Sequence, residues 1–177
     1  YVQYLLSSEK VTSIAVDGAN RKWFGTERAG VFLMSEDGTE QIEHFNIDNS
    51  PLFSNEINTM SITDNGMVFI GTSKGIISYK SDATPAPPTN DVFIYPNPVT
   101  KGYEGPIYIE NLVKDANVKI TDISGNIVYE TTAKGGLATW NGADFGGERV
   151  KTGYYLVFAS NDDGSEAIVS KILVIDQ

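Results

Sequence analysis

A repeated stretch in the first half of this chain constrains its fold more than any other feature. Residues 11–34 align with residues 57–80, and the equivalent glycines Gly25 and Gly71 are 46 residues apart. Periods of about 20 to 50 residues are typical of stacked or radial repeat architectures, and this one is close to a single propeller blade. The motif residues are Asp17, Trp23, Gly25 and Thr26 in the first copy and Asp64, Phe69, Gly71 and Thr72 in the second, where Asp64 lies near the position that matches Asp17.

Each copy predicts three short strands, because an Asp/Asn/Gly turn separates an apolar run from an aromatic-rich run in both. Residues 42–45 are expected to add a fourth, outer strand to the first copy. Two blades cannot close a ring of about four to eight. We therefore expect residues 1–80 to be the end of a larger propeller, with further blades upstream. The open blade edges should be covered by another copy of the chain or by its own termini.

The motif residues of the two copies resemble the two-component-regulator type of propeller repeat over about residues 7–80. The segment 49–55, with Asn49, Pro51 and Ser54, resembles the connector that this family places before its next blade. Repeats of this type also occur in the sensor regions of hybrid histidine kinases. The resemblance implies a propeller that serves as a binding platform.

Residues 81–91 separate the repeats from the rest of the chain. They hold three of the seven prolines and no large apolar residue. Such a composition favours an extended polyproline II conformation, so we expect a linker that can separate the two halves by up to about 30 Å.

From Val92 onward the pattern changes to about seven short strands, which favours an immunoglobulin-like antiparallel sandwich over residues 92–177. Turn signals lie at 124–126 and 162–164. The fold class expected for the whole chain is therefore all-β. The predicted strands are 92–95, 107–110, 117–123, 127–132, 137–140, 154–159 and 167–175.

Four local motifs occur in order along this C-terminal module. Together they resemble the type A C-terminal sorting domain of the type IX secretion system of Bacteroidetes, and the third is also similar to the FlgD-type immunoglobulin-like domain. The motif residues are Tyr95, Pro96, Asn97 and Pro98, then Asp122 and Gly125, then Gly153 and Tyr155, and finally Lys171 and Val174.

The sorting-domain resemblance implies export across the outer membrane to the cell surface, after which many such domains are cleaved and replaced by a lipopolysaccharide linkage. Regulator-type repeats followed by this domain further resemble PorZ-like proteins, which keep the domain. The partners implied are secretion or surface-attachment proteins, together with lipopolysaccharide or another glycan. Proline limits strand pairing, so a second interpretation of the motif at 95–98 is that it only defines the first edge strand.

Composition excludes several other classes. The net charge of -10 gives neither half a basic field, so we expect no nucleic-acid partner. There is no cysteine and no apolar stretch near the roughly 20 residues that a transmembrane helix needs. The chain opens at Tyr1 without a charged and apolar leader, so any signal peptide is expected upstream.

No residue pattern predicts catalysis, a cofactor or a metal site. His44 is the only histidine and lacks a triad-like context. Turn chemistry explains Asp162 and Asp163 better than a calcium loop with Glu166, and it also explains the Asp17 and Asp64 turns better than cation sites do. Trp140 and Tyr155 could stack on a sugar, although core positions are favoured for both.

Two functions follow from these features. The first is a noncatalytic surface protein fragment, whose propeller is a binding platform and whose sandwich is a type IX sorting or attachment module. The alternative is a sensory or glycan-binding propeller ectodomain, in which the sandwich is a spacer.

Overall fold

The computed structural model describes residues 6–86, 91–161 and 167–176. Every helix or strand assigned among these residues is a β-strand, which confirms the predicted all-β class. None of the described elements is a helix long and apolar enough to cross a membrane. The chain divides into two compact units, Tyr1–Ser81 and Asp82–Gln177.

The N-terminal unit contains two antiparallel meanders, one for each sequence repeat. Strands β1 to β4 form a four-stranded sheet in sequence order, and β5 to β7 form a three-stranded sheet in the same way. The predicted outer strand of the first repeat is present as β4. The strands are β1 (Val11–Val16), β2 (Lys22–Thr26), β3 (Val31–Met34), β4 (Gln41–Phe45), β5 (Ile57–Ile62), β6 (Met67–Thr72) and β7 (Gly75–Lys80).

One hydrophobic core joins the two repeats. Trp23 and Leu33 of the first sheet pack with Met60, Val68 and Ile70 of the second, and all five are buried. Apolar side chains at every second position of these strands point to one face, as a half-buried strand requires. The repeats therefore pack face to face like neighbouring blades.

Strand β2 of the first repeat and strand β5 of the second approach each other closely at Gly25. A β-carbon on Gly25 would lie 2.4 Å from Ser13 Oγ and 2.6 Å from Ile57 Cγ2. The Thr12 hydroxyl donates to Gly25 O at 3.0 Å and to Ile57 O at 2.5 Å. Glycine is thus needed here for interblade contact, not for a turn.

Equivalent positions of the two repeats differ sharply in exposure. Val31 of β3 is 0% exposed, whereas its counterpart Ile76 of β7 is 72% exposed. On the first repeat, Ile14 and Val16 are 61% and 51% exposed, although the equivalent Met60 is buried against the other blade. Both outer faces of the pair are thus built like blade-packing faces. That another copy or the chain's own termini cover the open blade edges stays a prediction, and sedimentation of the purified chain would detect the other copy.

The C-terminal unit is an antiparallel sandwich of seven strands. Its sheets have the orders β11-β10-β13-β14 and β12-β9-β8. The two sheets share one core, which includes Ile107, Val118, Trp140 and Ile172. The strands are β8 (Phe93–Tyr95), β9 (Ile107–Glu110), β10 (Asn117–Asp122), β11 (Ile127–Thr132), β12 (Ala138–Trp140), β13 (Gly153–Ser160) and β14 (Ala167–Val174).

The first residues of the predicted linker lie against the C-terminal unit. Thr84 forms a parallel bridge with Gly135, and Gly136 N–H donates to Thr84 O at 2.8 Å. The side chains of Ala83 and Thr84 are buried. An extended spacer does not describe residues 82–86, and residues 87–90 lie outside the described part of the chain.

The interblade contact predicts that Gly25→Ala destabilises the N-terminal unit by about 1–3 kcal/mol, because the added methyl group overlaps buried Ile57. The matched variant is Gly71→Ala, whose β-carbon would meet Thr59 Cγ2 at 2.7 Å. Thr59 is exposed and can move, so a smaller loss is expected. Urea unfolding measures both variants, and equal losses would show that Gly25 has no special role between blades.

Candidate functional site

The segment Tyr95–Val99 passes from one sheet of the sandwich to the other. Tyr95 pairs with Tyr108 in the three-stranded sheet, and Val99 bridges Val174 of the four-stranded sheet in parallel. The peptide bonds before Pro96 and Pro98 are both cis. Proline has no N–H to donate to a ladder. The two prolines therefore end pairing with the first sheet at the point where the chain changes sheets.

Asn97 attaches this crossing segment to the last strand. Its side-chain amide donates to Lys171 O at 3.0 Å, and its Oδ1 accepts from Leu173 N–H at 3.0 Å. Val99 continues the pairing, because Val99 N–H donates to Leu173 O and Ile175 N–H donates to Val99 O, both at 2.8 Å. The first and last predicted motifs thus form one structural element.

The other two motifs join the same part of the sandwich. Val174 pairs with Gly153, and Tyr155 pairs with Asp122. Motif residues that are far apart in sequence therefore lie on neighbouring strands. Local sequence patterns gave no signal for this convergence, since strand order cannot be read from the spacing of the motifs.

Tyr95 belongs to an aromatic row on the three-stranded sheet. Its ring centroid lies 5.6 Å from Phe93 and 5.1 Å from Tyr108. The Tyr95 hydroxyl donates to Glu110. Burial, followed by that hydrogen bond, raises the pKa of Tyr95 well above its usual range. Tyr95 is therefore a neutral donor at physiological pH, and the exposed Phe93 leaves part of the row open to solvent.

Asp122 and Gly125 build the hairpin turn between β10 and β11. Asp122 Oδ1 accepts from Ser124 N–H at 2.8 Å and from Asn126 N–H at 3.0 Å. The hydrogen bond from the Asn126 side chain is the first cause that lowers the pKa of Asp122. A lowered folded-state pKa means that the turn's stabilisation is present above the ordinary Asp range and is lost on acidification.

Tyr155 and Trp140 are core residues, as expected from their type. They are 8% and 1% exposed, with ring centroids 5.6 Å apart. The Tyr155 hydroxyl donates to Lys151 O at 2.9 Å, and Trp140 Nε1 donates to Ala143 O at 2.8 Å. Burial raises the pKa of Tyr155, with a smaller effect from the Asp122 charge. Neither ring is open to stack on a sugar.

In the repeats, Asp17 is the centre of a buried polar cluster. Its Oδ2 accepts from Arg21 Nε at 2.8 Å and from Trp23 Nε1 at 3.0 Å. Its Oδ1 accepts from the backbone of Ala19 and Arg21 at 3.0 and 3.1 Å. A buried carboxylate with these partners fixes the Trp23 ring in the core.

The second repeat has a different arrangement at this turn. Thr63, not Asp64, occupies the position of Asp17, because Thr63 N–H bonds Met67 O as Asp17 N–H bonds Arg21 O. Asp64 is exposed, and Phe69, the counterpart of Trp23, is 42% exposed. Asp17 and Asp64, the motif Asp residues of the two repeats, are therefore not structurally equivalent.

The two motif threonines do have the same role. Thr26 Oγ1 donates to Gly30 O at 2.8 Å, and Thr72 Oγ1 donates to Gly75 O at 2.9 Å. Each also accepts a backbone N–H within its turn, from Ala29 and Lys74 respectively. Both residues fix the turn between the second and third strands of a blade.

The remaining candidates for chemistry have structural surroundings. The His44 ring stacks on Phe32 with centroids 4.0 Å apart, and its Nε2 lies 2.6 Å from Ala29 O. Within the described ranges, no group of three or more His, Cys, Asp or Glu side chains could hold a metal ion. Asp162, Asp163 and Glu166 lie outside those ranges.

One small apolar cavity of about 40 Å³, partly open to solvent, lies in the N-terminal unit. Trp23, Phe45 and Tyr79 line it, with ring centroids 5.2 to 5.9 Å apart. Pro51 and Ile77 also contribute to its wall. The sequence carries no local signal for this cavity, because its walls come from both repeats.

Comparison with known protein families matches residues 93–175 to the secretion system C-terminal sorting domain. The matched residues make up most of the C-terminal unit, which is similar to this family. The matched family is a sorting domain, which is a noncatalytic kind of module. None of the curated proteins compared matches the chain significantly.

Among solved structures, the chain is similar to PorZ, described as an essential bacterial surface component of the type IX secretion system of Porphyromonas gingivalis. The identity is 32% and the TM-score 0.63, over 99% of this chain and 24% of PorZ. The chain thus spans about a quarter of that protein. Together with the sorting domain, this similarity identifies a PorZ-like, exported protein of the cell surface associated with type IX secretion.

Two further structures are more distant. The extracellular domain of the putative one-component system BT4673 from B. thetaiotaomicron is 12% identical, with a TM-score of 0.35 over 99% of this chain and 26% of that one. Dimeric latent PorU from Porphyromonas gingivalis is 21% identical, with a TM-score of 0.38 over 63% of this chain and 12% of that one. These two likenesses do not establish a shared fold.

Removal of the Asn97 side chain is expected to affect the last strand locally. Asn97→Ala removes both bonds to Lys171 and Leu173 and should cost about 1 kcal/mol, with faster amide exchange at Leu173. Asn97→Asp should give an intermediate result, because a carboxylate still accepts from Leu173 N–H. Asn126→Ala is the control, since its bonds lie within the 122–126 turn. Unchanged protection of Leu173 in Asn97→Ala would contradict this role of Asn97.

Proposed function

We propose that the chain is a noncatalytic part of an exported surface protein, in which the C-terminal sandwich is the type IX sorting and attachment module. The observation that carries this proposal is the match of residues 93–175 to the sorting-domain family. The pairing of the first motif with the last adds support, because the exposed residues Asn97 and Lys171 lie next to each other, where a receptor could contact both.

The noncatalytic reading is supported by the use of polar side chains. Asp17 forms an ion pair with Arg21 at 2.8 Å inside the fold. His44 stacks on Phe32 and contacts a carbonyl. Neither arrangement places a base beside a nucleophile, which general acid–base chemistry requires.

The N-terminal unit is proposed to be a binding platform. Its support is the cavity lined by Trp23, Phe45 and Tyr79, because aromatic walls with few polar groups are typical of ligand sites. Secretion-system proteins are the partner class that accords with the similarity to PorZ. Contact with lipopolysaccharide or glycan is a finer proposal.

A second candidate is a glycan-binding ectodomain with the sandwich as a spacer, and the aromatic cavity is the observation that favours it. Glycan or lipopolysaccharide titration of the purified chain should then lose affinity in Tyr79→Ala. Phe93→Ala, on the aromatic row of the sandwich, is the matched control. Loss of binding in Phe93→Ala alone would assign the glycan to the C-terminal unit, and binding unaffected by either change would remove this candidate.

Sorting by the C-terminal unit predicts the result of a deletion. A protein lacking residues 168–177 should remain in the periplasm, because the last motif and strand β14 are lost. Fractionation and protease access on intact cells measure the displayed fraction. Unchanged surface display would refute the proposal.

A core variant separates sorting from simple folding in this experiment. Val118→Ala removes buried methyl groups from β10 and destabilises the same sandwich while every motif residue stays in place. It should remain displayed at the surface. If Val118→Ala stays in the periplasm as the deletion variant does, surface display depends on the stability of the sandwich and not on the sorting motifs.

A further inference from the structure

The outward face of the four-stranded sheet is more apolar than the solvent-facing side of such a sheet usually is. An antiparallel sheet with one buried face usually has polar side chains on the other. On β13, however, the inward residues Tyr155 and Val157 alternate with Tyr154, Leu156 and Phe158. The central strand is therefore apolar on both faces.

Register places further apolar side chains beside these three. Leu173 of β14 pairs with Tyr154, and Thr121 of β10 pairs with both Leu156 and Ile127. Tyr154 is 52% exposed and Ile127 45% exposed, while Leu156, Phe158 and Leu173 are partly exposed. We call Tyr154, Leu156, Phe158, Leu173 and Ile127 the outer patch.

Two lysines border the outer patch. Lys119 pairs with Phe158, and Lys171 pairs with Leu156. Lys119 lies 3.8 Å from Glu130, so its charge is partly balanced. The Lys171 ammonium lies 5.9 Å from the Tyr154 ring centroid, and no carboxylate among the described residues forms an ion pair with it. The rim is thus cationic on a chain whose net charge is -10.

We propose that the outer patch is the docking surface for a protein of the export machinery, whose contact surface is apolar and carries a carboxylate opposite Lys171. This inference rests on the proposed sorting function and assigns it a surface. Partly exposed apolar side chains next to one another on a sheet face are typical of a surface that contacts another protein. Lysines at the rim steer association with an acidic partner.

The charge of the rim favours a protein partner over two other occupants, an anionic lipid surface and a second copy of this chain. Anionic lipid surfaces are recognised by clusters of about four to eight basic residues, whereas this rim has two. A second copy placed on the outer patch by twofold symmetry would bring a cationic rim against itself. An acidic, apolar protein surface fits both the patch and its rim.

The decisive experiment compares variants of the full-length exported protein in cells. Lys171→Glu should lower the surface-displayed fraction roughly tenfold, because a carboxylate would then face a carboxylate. Leu156→Thr should also reduce display while keeping a β-branched residue on the strand. Lys101→Glu is the matched control, since it makes the same charge change at an exposed loop position and should be displayed normally.

Folding is measured in parallel on the purified chain. Lys171→Glu changes an exposed, outward side chain, so its melting temperature should equal that of the parent. If Leu156→Thr unfolds, Lys171→Glu alone decides the result. Normal display of the folded Lys171→Glu protein would overturn the docking surface.

Three further outcomes are distinguishable. A dimer in sedimentation that Leu156→Thr dissociates would assign the outer patch to a second copy and overturn the proposal. Flotation with phosphatidylglycerol vesicles that Lys171→Glu abolishes would assign it to lipid, with the same consequence. If deletion of residues 168–177 abolishes display but the patch variants do not, the sorting function stands and only this surface is wrong.

Discussion

The sandwich depends on the passage of one short segment from its first sheet to its second. Tyr95 ends the pairing of β8, and Val99 pairs with the last strand four residues later. Between them, Asn97 makes with its side chain the two bonds that a backbone would make in a regular ladder. The otherwise open edge of β14 is thereby occupied along residues 171–175, which protects it from pairing with other chains.

The N-terminal unit buries its apolar sheet faces in another way. Its two repeats cover one face of each other, and Gly25 permits the close approach of strands β2 and β5. The faces that point away from this contact retain exposed apolar residues such as Ile14 and Ile76. A repeat architecture has this property because each unit can bury its apolar faces only against neighbours.

Much of the fold could be predicted from local sequence. Turn residues and alternating apolar positions placed all seven sandwich strands within one residue of their observed bounds. The repeat period also indicated strand β4. These features depend on chain neighbours, so a single sequence contains them.

Features that depend on pairing between distant strands could not be predicted. The contact of Asn97 with Lys171, the aromatic cavity and the outer patch all need the three-dimensional order of strands. The role of the motif residues stays a prediction, and their arrangement on adjacent strands was not predicted.

The bond between Asn97 and Lys171 also affects the order of folding events. It joins residues 74 positions apart in the chain. Contacts of such long sequence separation form late, because the entropy of closing a large loop opposes them until other strands have paired. We therefore expect the edge of the last strand to be among the last parts of the sandwich to be covered during folding. A component that meets the chain before this step encounters an unpaired β14 edge, whereas one that meets it afterwards encounters a closed sandwich.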